Sequence, residues 1–220
     1  MTRLRPFAPA APARVWLEIA LVDAALEGAL WTLGPARSRF GVAAALLILV
    51  FTLLAGRSWT ALGLDFRRIR CGWWVAPAGL AAAVAILLAG HAAGTLHGLA
   101  GRPLAWSALG YPAWALVQEF IAQGYFFVRF ESVLGGRWAV VACAGLFGAA
   151  HIPNPVLVPV TLVGGLILCE LFRRYRTIYV LAAAHIVVAL ALAAAVPNSA
   201  VRHMRVGAGY VELLRPHAAH

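Results

Sequence analysis

Long apolar stretches dominate the chain, and short polar connections separate them. Seven of these stretches approach or exceed the roughly 20 apolar residues that a helix needs to cross a ~30 Å hydrocarbon core. The pattern therefore predicts an all-α protein, a polytopic transmembrane helical bundle of about seven spans. The predicted spans are residues 15–34, 39–56, 73–95, 107–128, 138–152, 155–172 and 177–196.

No linker, low-complexity run or internal repeat divides these spans, so residues 15–196 are predicted to form one transmembrane domain. A head rich in proline and alanine, residues 1–14, precedes it, and a polar tail, residues 197–220, follows it. The head is not expected to be a signal peptide, because it lacks an uninterrupted apolar core and because acidic residues follow in the first span.

Composition excludes a soluble globular domain. Of the 220 residues, 63% are hydrophobic and 12% are charged, and the mean hydropathy is +0.84. The charged fraction is about half of that in a typical soluble domain, and a soluble fold could not bury so much apolar surface. An integral membrane protein of a bacterial inner or cell membrane is therefore expected.

The net charge of +10 comes from 18 arginines against eight acids. Because these arginines flank the predicted spans, they are expected to meet anionic lipid headgroups, and no nucleic-acid partner is predicted. Twelve of them lie on the side that includes the head, which places the N-terminus in the cytoplasm and the C-terminus outside. The twelve are Arg3, Arg5, Arg14, Arg57, Arg67, Arg68, Arg70, Arg129, Arg137, Arg173, Arg174 and Arg176.

Three ionisable residues stand out inside the spans, namely Glu119, His151 and His185. A charged side chain at mid-bilayer costs on the order of 2.5–3.5 kcal/mol, so each is expected to face the bundle interior. Helical rise places them roughly 15, 21 and 12 Å from the cytoplasmic ends of their spans. A lone intramembrane histidine is more often a hydrogen-bonded packing residue, but three such groups at similar depth favour a shared site.

The three cysteines, Cys71, Cys143 and Cys169, are far apart in the sequence and form no CxxC pair. Neither a zinc ribbon nor a dithiol redox site is indicated. They are interpreted as small apolar residues that fill space in the bundle.

Three motifs on separate spans carry a family resemblance: "QEFIAQG" from Gln118, "FGAAH" ending at His151, and "HIVVA" starting at His185. Residues 118–190 resemble the CPBP intramembrane glutamic endopeptidases, which include type II CAAX prenyl endopeptidases and bacteriocin-processing and self-immunity proteins. The order, the separations and the Pro-Asn pair after the second motif agree, and the family core is placed at about 107–196.

The resemblance implies an active site in which a glutamate and the second-motif histidine activate water. The third-motif histidine and an asparagine then stabilise the oxyanion. This chain departs from the family pattern at Gln118, Gln123 and Ala189, which replace a glutamate, an arginine and an asparagine or aspartate. An amide is no general base.

We therefore expect Glu119 to be the base, His151 to orient or deprotonate the water, and His185 to donate a hydrogen bond to the oxyanion. Gln123 is expected to orient Glu119 by a hydrogen bond, and Asn154 or Gln118 to supply the missing oxyanion donor. No cofactor and no metal is expected.

The predicted function is endoproteolysis of membrane-embedded or lipidated proteins or peptides, including C-terminal anchors that are removed during protein sorting. Prenylated substrates are less expected than other membrane peptides, because only the core motifs match. A catalytically inactive family member, acting as a membrane binding or immunity protein, is the main competing hypothesis.

Zinc binding and proton transport would draw on the same three residues. Zinc ligation by Glu119, His151 and His185 is chemically reasonable, although no HExxH occurs. A proton-coupled transporter could use an intramembrane relay, but the spans show no inverted repeat.

Reporter fusions test the predicted topology. Fusions in the loops 57–72 and 173–176 are expected to report the cytoplasm, because these loops carry seven of the arginines. Fusions within the tail, residues 197–220, are expected to report the external side. A cytoplasmic tail would show that the number of spans is even.

Overall fold

A computed structural model describes residues 11–97 and 110–214 of the chain. Most of the head, the first residues of the predicted span 107–128 and the last six residues of the tail lie outside the described residues. So do four of the arginines that entered the topology count: Arg3, Arg5, Arg102 and Arg215.

The described residues are helical and contain no β-strand, so the all-α prediction is confirmed. Helices α4 and α5 are joined by a π-helical segment, Phe120–Phe127, so that residues 111–134 form one continuous helix. The α-helices are α1 Pro12–Trp31, α2 Gly34–Ala55, α3 Val75–Ala92, α4 Tyr111–Glu119, α5 Val128–Leu134, α6 Gly136–Ala149, α7 Leu157–Tyr175, α8 Tyr179–Ala195, α9 Asn198–Val201 and α10 Gly207–Leu214.

Two of the described helices, α2 and α3, are long and apolar enough to cross a membrane by length and composition. The number rises to three if α8 and the segment Asn198–Met204, which are bent by 115°, count as one span. Five predicted spans do not meet this test: α1 and α7 carry too many acids and arginines, and α4, α6 and α8 have only 9, 14 and 17 residues. The seven-span count therefore stays a prediction.

Glycine and alanine allow the closest helix contacts. A Cβ added to Gly79 would lie 2.6 Å from Ala184, and one added to Gly90 would lie 2.6 Å from Ala195. Both pairs advance together along the chain, so α3 and α8 pack in parallel with their backbones in near contact. Small residues at such positions are the usual means by which membrane helices pack tightly.

The helix formed by residues 111–134 lies at the centre of the core. Tyr125, Phe126 and Phe127 are fully buried and pack among apolar residues of α1, α6, α7 and α8. By contrast, most side chains of α2 are exposed, including Leu53 at 70%. This distribution leaves apolar outer surfaces that suit contact with lipid.

Residues 197–214, part of the predicted polar tail, are mostly helical and pack back on the bundle. The backbone N–H of Gly207 donates to the carbonyl of Ile152, at 2.8 Å. Gly207 has a φ of +55°, and a Cβ there would lie 2.2 Å from the Leu30 carbonyl oxygen, so only glycine fits this close approach. The tail thus contacts the turn that follows α6.

A buried ion pair joins α1 to α5. Arg129 is 5% exposed, and its Nε donates to Glu18 Oε2 at 3.0 Å, while its guanidinium carbon lies 3.6 Å from the centre of the Tyr125 ring. The hydroxyl of Tyr125 donates to the Glu18 carbonyl. The sequence predicts Arg129 in a cytoplasmic turn, but the helix continues to Leu134 and carries this residue into the protein interior.

We predict that Glu18→Gln strongly destabilises the fold, because it leaves the Arg129 cation buried without a counter-charge. Breaking such a pair typically costs ~3–5 kcal/mol. The protein is heated in detergent, and size-exclusion chromatography then measures the fraction that remains folded.

The matched control is Glu170→Gln, which removes a partly exposed carboxylate from its pairs with Arg173 and Arg174. Exposed pairs contribute about 0–1 kcal/mol. If both variants lose the same fraction of folded protein, the Glu18–Arg129 pair stabilises the fold no more than an exposed pair does.

Candidate active site

Glu119 is the last residue of α4, directly before the π-helical segment Phe120–Phe127. Its side chain points into the bundle, and the residue is 2% exposed. This burial agrees with the expectation that an ionisable group in an apolar span faces the interior.

Glu119 pairs with His185. The Nδ1 atom of His185, on α8, lies 2.9 Å from Glu119 Oε1. An ionised carboxylate only accepts hydrogen bonds, so Nδ1 carries the hydrogen in this pair. Glu119 Oε2 has no hydrogen-bond partner among the described residues. The His185 side chain is 16% exposed, whereas that of Glu119 is 3% exposed, so the imidazole is the more accessible member.

His151 lies beyond the end of α6, although the sequence predicts it inside the span 138–152. Its Nδ1 lies 2.7 Å from the carbonyl oxygen of Phe147, one turn earlier. A carbonyl only accepts, so Nδ1 donates, and in the neutral imidazole Nε2 keeps a lone pair. His151 thus caps the last turn of α6 and retains an acceptor atom.

Phe147 brings the two imidazoles together. The centre of its ring lies 4.9 Å from that of His151 and 6.2 Å from that of His185, both in edge-to-face geometry. The two predicted histidines therefore flank one phenyl ring, and within the described structure only Glu119 and His185, among the three predicted residues, form a hydrogen bond with each other.

The orienting hydrogen bond predicted from Gln123 to Glu119 is not formed among the described residues. Gln123 is 2% exposed, and its Oε1 and the Oε2 of Glu119 both lack partners. The π-helical segment begins immediately after Glu119, so the α-helical spacing on which the expectation rested no longer applies. Gln118, the preceding residue, is half-buried.

Asn154 holds the turn after α6 instead of offering a free amide. Its Nδ2 donates to the carbonyls of Val201 and Arg205, at 2.8 and 3.0 Å. Its Oδ1 accepts from the backbone N–H groups of Val156 and Leu157 at the start of α7. The residue is completely buried and both ends of its amide are bonded, so its role as an oxyanion donor stays a prediction that this geometry does not favour.

Ala189 lies one helical turn after His185 on α8 and brings no polar side chain. The described residues contain no group of three or more histidines, cysteines or carboxylates placed to hold a metal ion. The zinc hypothesis therefore lacks a ligand set there.

Sequence reasoning missed the contact that Cys143 makes with this region. The residue is fully buried, and its thiol donates to the backbone carbonyl of Ala122, at 3.2 Å. A signal was available, because Cys143 and Phe147 are four residues apart and share one face of α6, and His151 follows at the same interval in the turn after the helix.

Residues 100–191 match the family model described as type II CAAX prenyl endopeptidase Rce1-like. The match covers less than half of the chain and includes Glu119, His151 and His185. Comparisons with curated proteins and with solved structures find no match. The family resemblance predicted from the three motifs is therefore confirmed, because residues 100–191 are similar to the Rce1-like type II CAAX prenyl endopeptidases.

Proposed function

We propose that this protein is an intramembrane glutamic-type endopeptidase that hydrolyses peptide bonds of membrane-anchored or lipidated substrates. The family implies protease activity in general terms, and the mechanism is our proposal. The observation that supports it most directly is the 2.9 Å contact between Glu119 and His185, a buried acid–base pair inside the matched segment.

In this mechanism, Glu119 takes a proton from water. One carboxylate oxygen is fixed by His185 and the other has no partner among the described residues, so Oε2 is the oxygen that accepts the proton. The hydroxide adds to the peptide carbonyl carbon. Collapse of the tetrahedral intermediate breaks the C–N bond, and the proton held by Glu119 passes to the leaving amine.

The histidines take different tasks. His151 Nε2, which keeps its lone pair because Nδ1 donates to Phe147, accepts a hydrogen bond from the attacking water and orients it. When His185 carries hydrogens on both nitrogens, Nδ1 donates to Glu119 and Nε2 donates to the developing oxyanion. Phe147 keeps the two rings close enough for both tasks.

A second oxyanion donor must replace the one missing at Ala189. Asn154 is committed to the turn after α6, which leaves the half-buried amide of Gln118, next to Glu119. One oxyanion donor contributes ~10²–10³ in rate, so Gln118 carries a substantial share of the proposed catalysis.

The substrate class follows from the surroundings of the pair. The matched segment is embedded in helices with exposed apolar side chains, so peptides arrive from the bilayer and are anchored there by a hydrophobic or lipidated segment. Processing of C-terminal membrane anchors fits this arrangement. The proposal also includes the predicted topology: the protein crosses a bacterial cell membrane seven times, with its N-terminus in the cytoplasm.

An inactive family member that binds membrane partners is the second candidate. Ala189 and the unpaired Gln123 favour it, because two positions that support the active site in the family contribute nothing to Glu119 here. The same buried pair would then serve only to hold α4 against α8.

We predict that Glu119→Gln lowers turnover by ~10²–10⁴, since the amide keeps the hydrogen-bonding shape but cannot accept the proton. The assay measures cleavage of a panel of fluorescent single-span and lipidated peptides by purified protein in detergent. The control is Glu27→Gln, which should leave turnover unchanged. Glu27 is a partly buried glutamate of an apolar helix, and it lies away from the site. Normal turnover by Glu119→Gln would rule out Glu119 as the base.

We predict that Gln118→Glu lowers the turnover of an active enzyme, because an ionised carboxylate cannot donate to the oxyanion as the amide does, and that it changes the pH profile. The variant places a second carboxylate beside Glu119, and two interacting carboxylates titrate in separate steps. The measurement is kcat/KM against pH with the same peptide panel. If the parent protein cleaves no peptide of the panel and Gln118→Glu does, the chain is instead an inactive descendant of a protease.

A further inference from the structure

The helix that carries Glu119 changes its winding at the active site. The π-helical segment Phe120–Phe127 begins directly after this residue and separates α4 from α5. In a π-helix the bonded pairs are five residues apart, instead of the four of an α-helix, and such segments frequently mark functional sites. Something must favour this less common winding over a continuous α-helix.

The thiol of Cys143 reaches into this segment from α6. Its Sγ donates to the carbonyl oxygen of Ala122 at 3.2 Å, and Ala122 lies within the π-helical segment. In π-helical winding a carbonyl pairs with the amide five residues further along instead of four. The thiol therefore contacts one of the backbone carbonyls whose pairing distinguishes the π-helix from the α-helix.

The surroundings leave the thiol little freedom. Cys143 is completely buried, with Cys169 of α7 as a neighbour. On the π-helical segment, a Cβ added to Gly124 would lie 2.9 Å from the carbonyl oxygen of Leu62, so the backbone of the 56–65 loop packs closely there. The segment is thus held between α6 and this loop.

Cys143 also connects the two halves of the site. Phe147 lies four residues further along the same face of α6, and its ring contacts the imidazoles of His151 and His185. One helix face therefore contacts the segment after Glu119 and carries the ring that lies between the two histidines.

We propose that Cys143 is a positioning residue, whose thiol stabilises the π-helical turn after Glu119 and thereby directs the carboxylate toward His185. Its effect on turnover rests on the proposed function, whereas its effect on the Glu119–His185 hydrogen bond does not. When the donor is lost, the turn relaxes toward an α-helix, and Glu119 shifts relative to α8. Displacements of about 1 Å in an active site cost on the order of 10² in rate.

Two substitutions separate hydrogen bonding from packing. Cys143→Val keeps a buried side chain of similar size but has no donor, and Cys143→Ser keeps a donor in a smaller side chain. We expect kcat on a cleaved panel peptide to fall roughly 10–100-fold in Cys143→Val, with KM changed less than about twofold. Cys143→Ser should stay within about threefold of the parent.

The control is Cys169→Val, because Cys169 is equally buried beside Cys143 but makes no hydrogen bond to the π-helical segment within the described structure. If packing alone matters, Cys169→Val lowers kcat as much as Cys143→Val does, and the proposal fails. A normal kcat in Cys143→Val would also overturn it.

A spectroscopic readout keeps the test independent of activity. In protein labelled with ¹⁵N-histidine, the His185 imidazole resonances, assigned by their loss in His185→Gln, report the hydrogen bond to Glu119. The chemical shifts of these His185 resonances should change in Cys143→Val and should stay the same in Cys143→Ser and Cys169→Val. Unchanged resonances in Cys143→Val would refute the positioning role even in a protein without protease activity, whereas absent turnover with the expected shifts would refute only the proposed function.

Discussion

The structure depends on how a carboxylate is accommodated inside an apolar helical bundle. An isolated charge in such a medium is strongly unfavourable, so Glu119 requires a partner, and α8 provides one in His185. This requirement fixes the distance between the central helix and α8. The small residues that let α3 approach α8 closely support the same arrangement, because they hold α8 against α3 at Gly79 and Gly90.

The same constraint acts a second time at the other end of the central helix. Arg129 is buried, and Glu18 and the ring of Tyr125 compensate its charge. The two sites have different consequences. Both carboxylate oxygens of Glu18 are bonded, one to Arg14 and one to Arg129, whose Nη2 has no partner among the described residues. Glu119, by contrast, keeps one carboxylate oxygen without a partner in the same part of the chain. An unsatisfied buried oxygen is costly for a purely structural residue and useful for a proton acceptor.

The departures from the family motifs leave the candidate site with other neighbours. The residues at the arginine and asparagine positions, Gln123 and Ala189, contribute no hydrogen bond to Glu119 or His185 within the described residues. Next to the pair lie the π-helical winding after Glu119, which the Cys143 thiol contacts at Ala122, and the ring of Phe147, which contacts His185. These groups carry no charge, so His185 is the partner that interacts most directly with the carboxylate.

The sequence by itself determined the helical class, the membrane setting, the family resemblance and the three candidates Glu119, His151 and His185, because apolar runs and rare ionisable groups are local features of a chain. Tertiary structure alone decided which partners meet. It paired Glu119 with His185, buried Arg129 against a residue 111 positions away, tied Asn154 to the tail and placed Cys143 against the π-helical segment. The physical reason is that a hydrogen bond or an ion pair requires a distance of about 3 Å between two atoms. The packing of helices that are far apart in the sequence sets these distances.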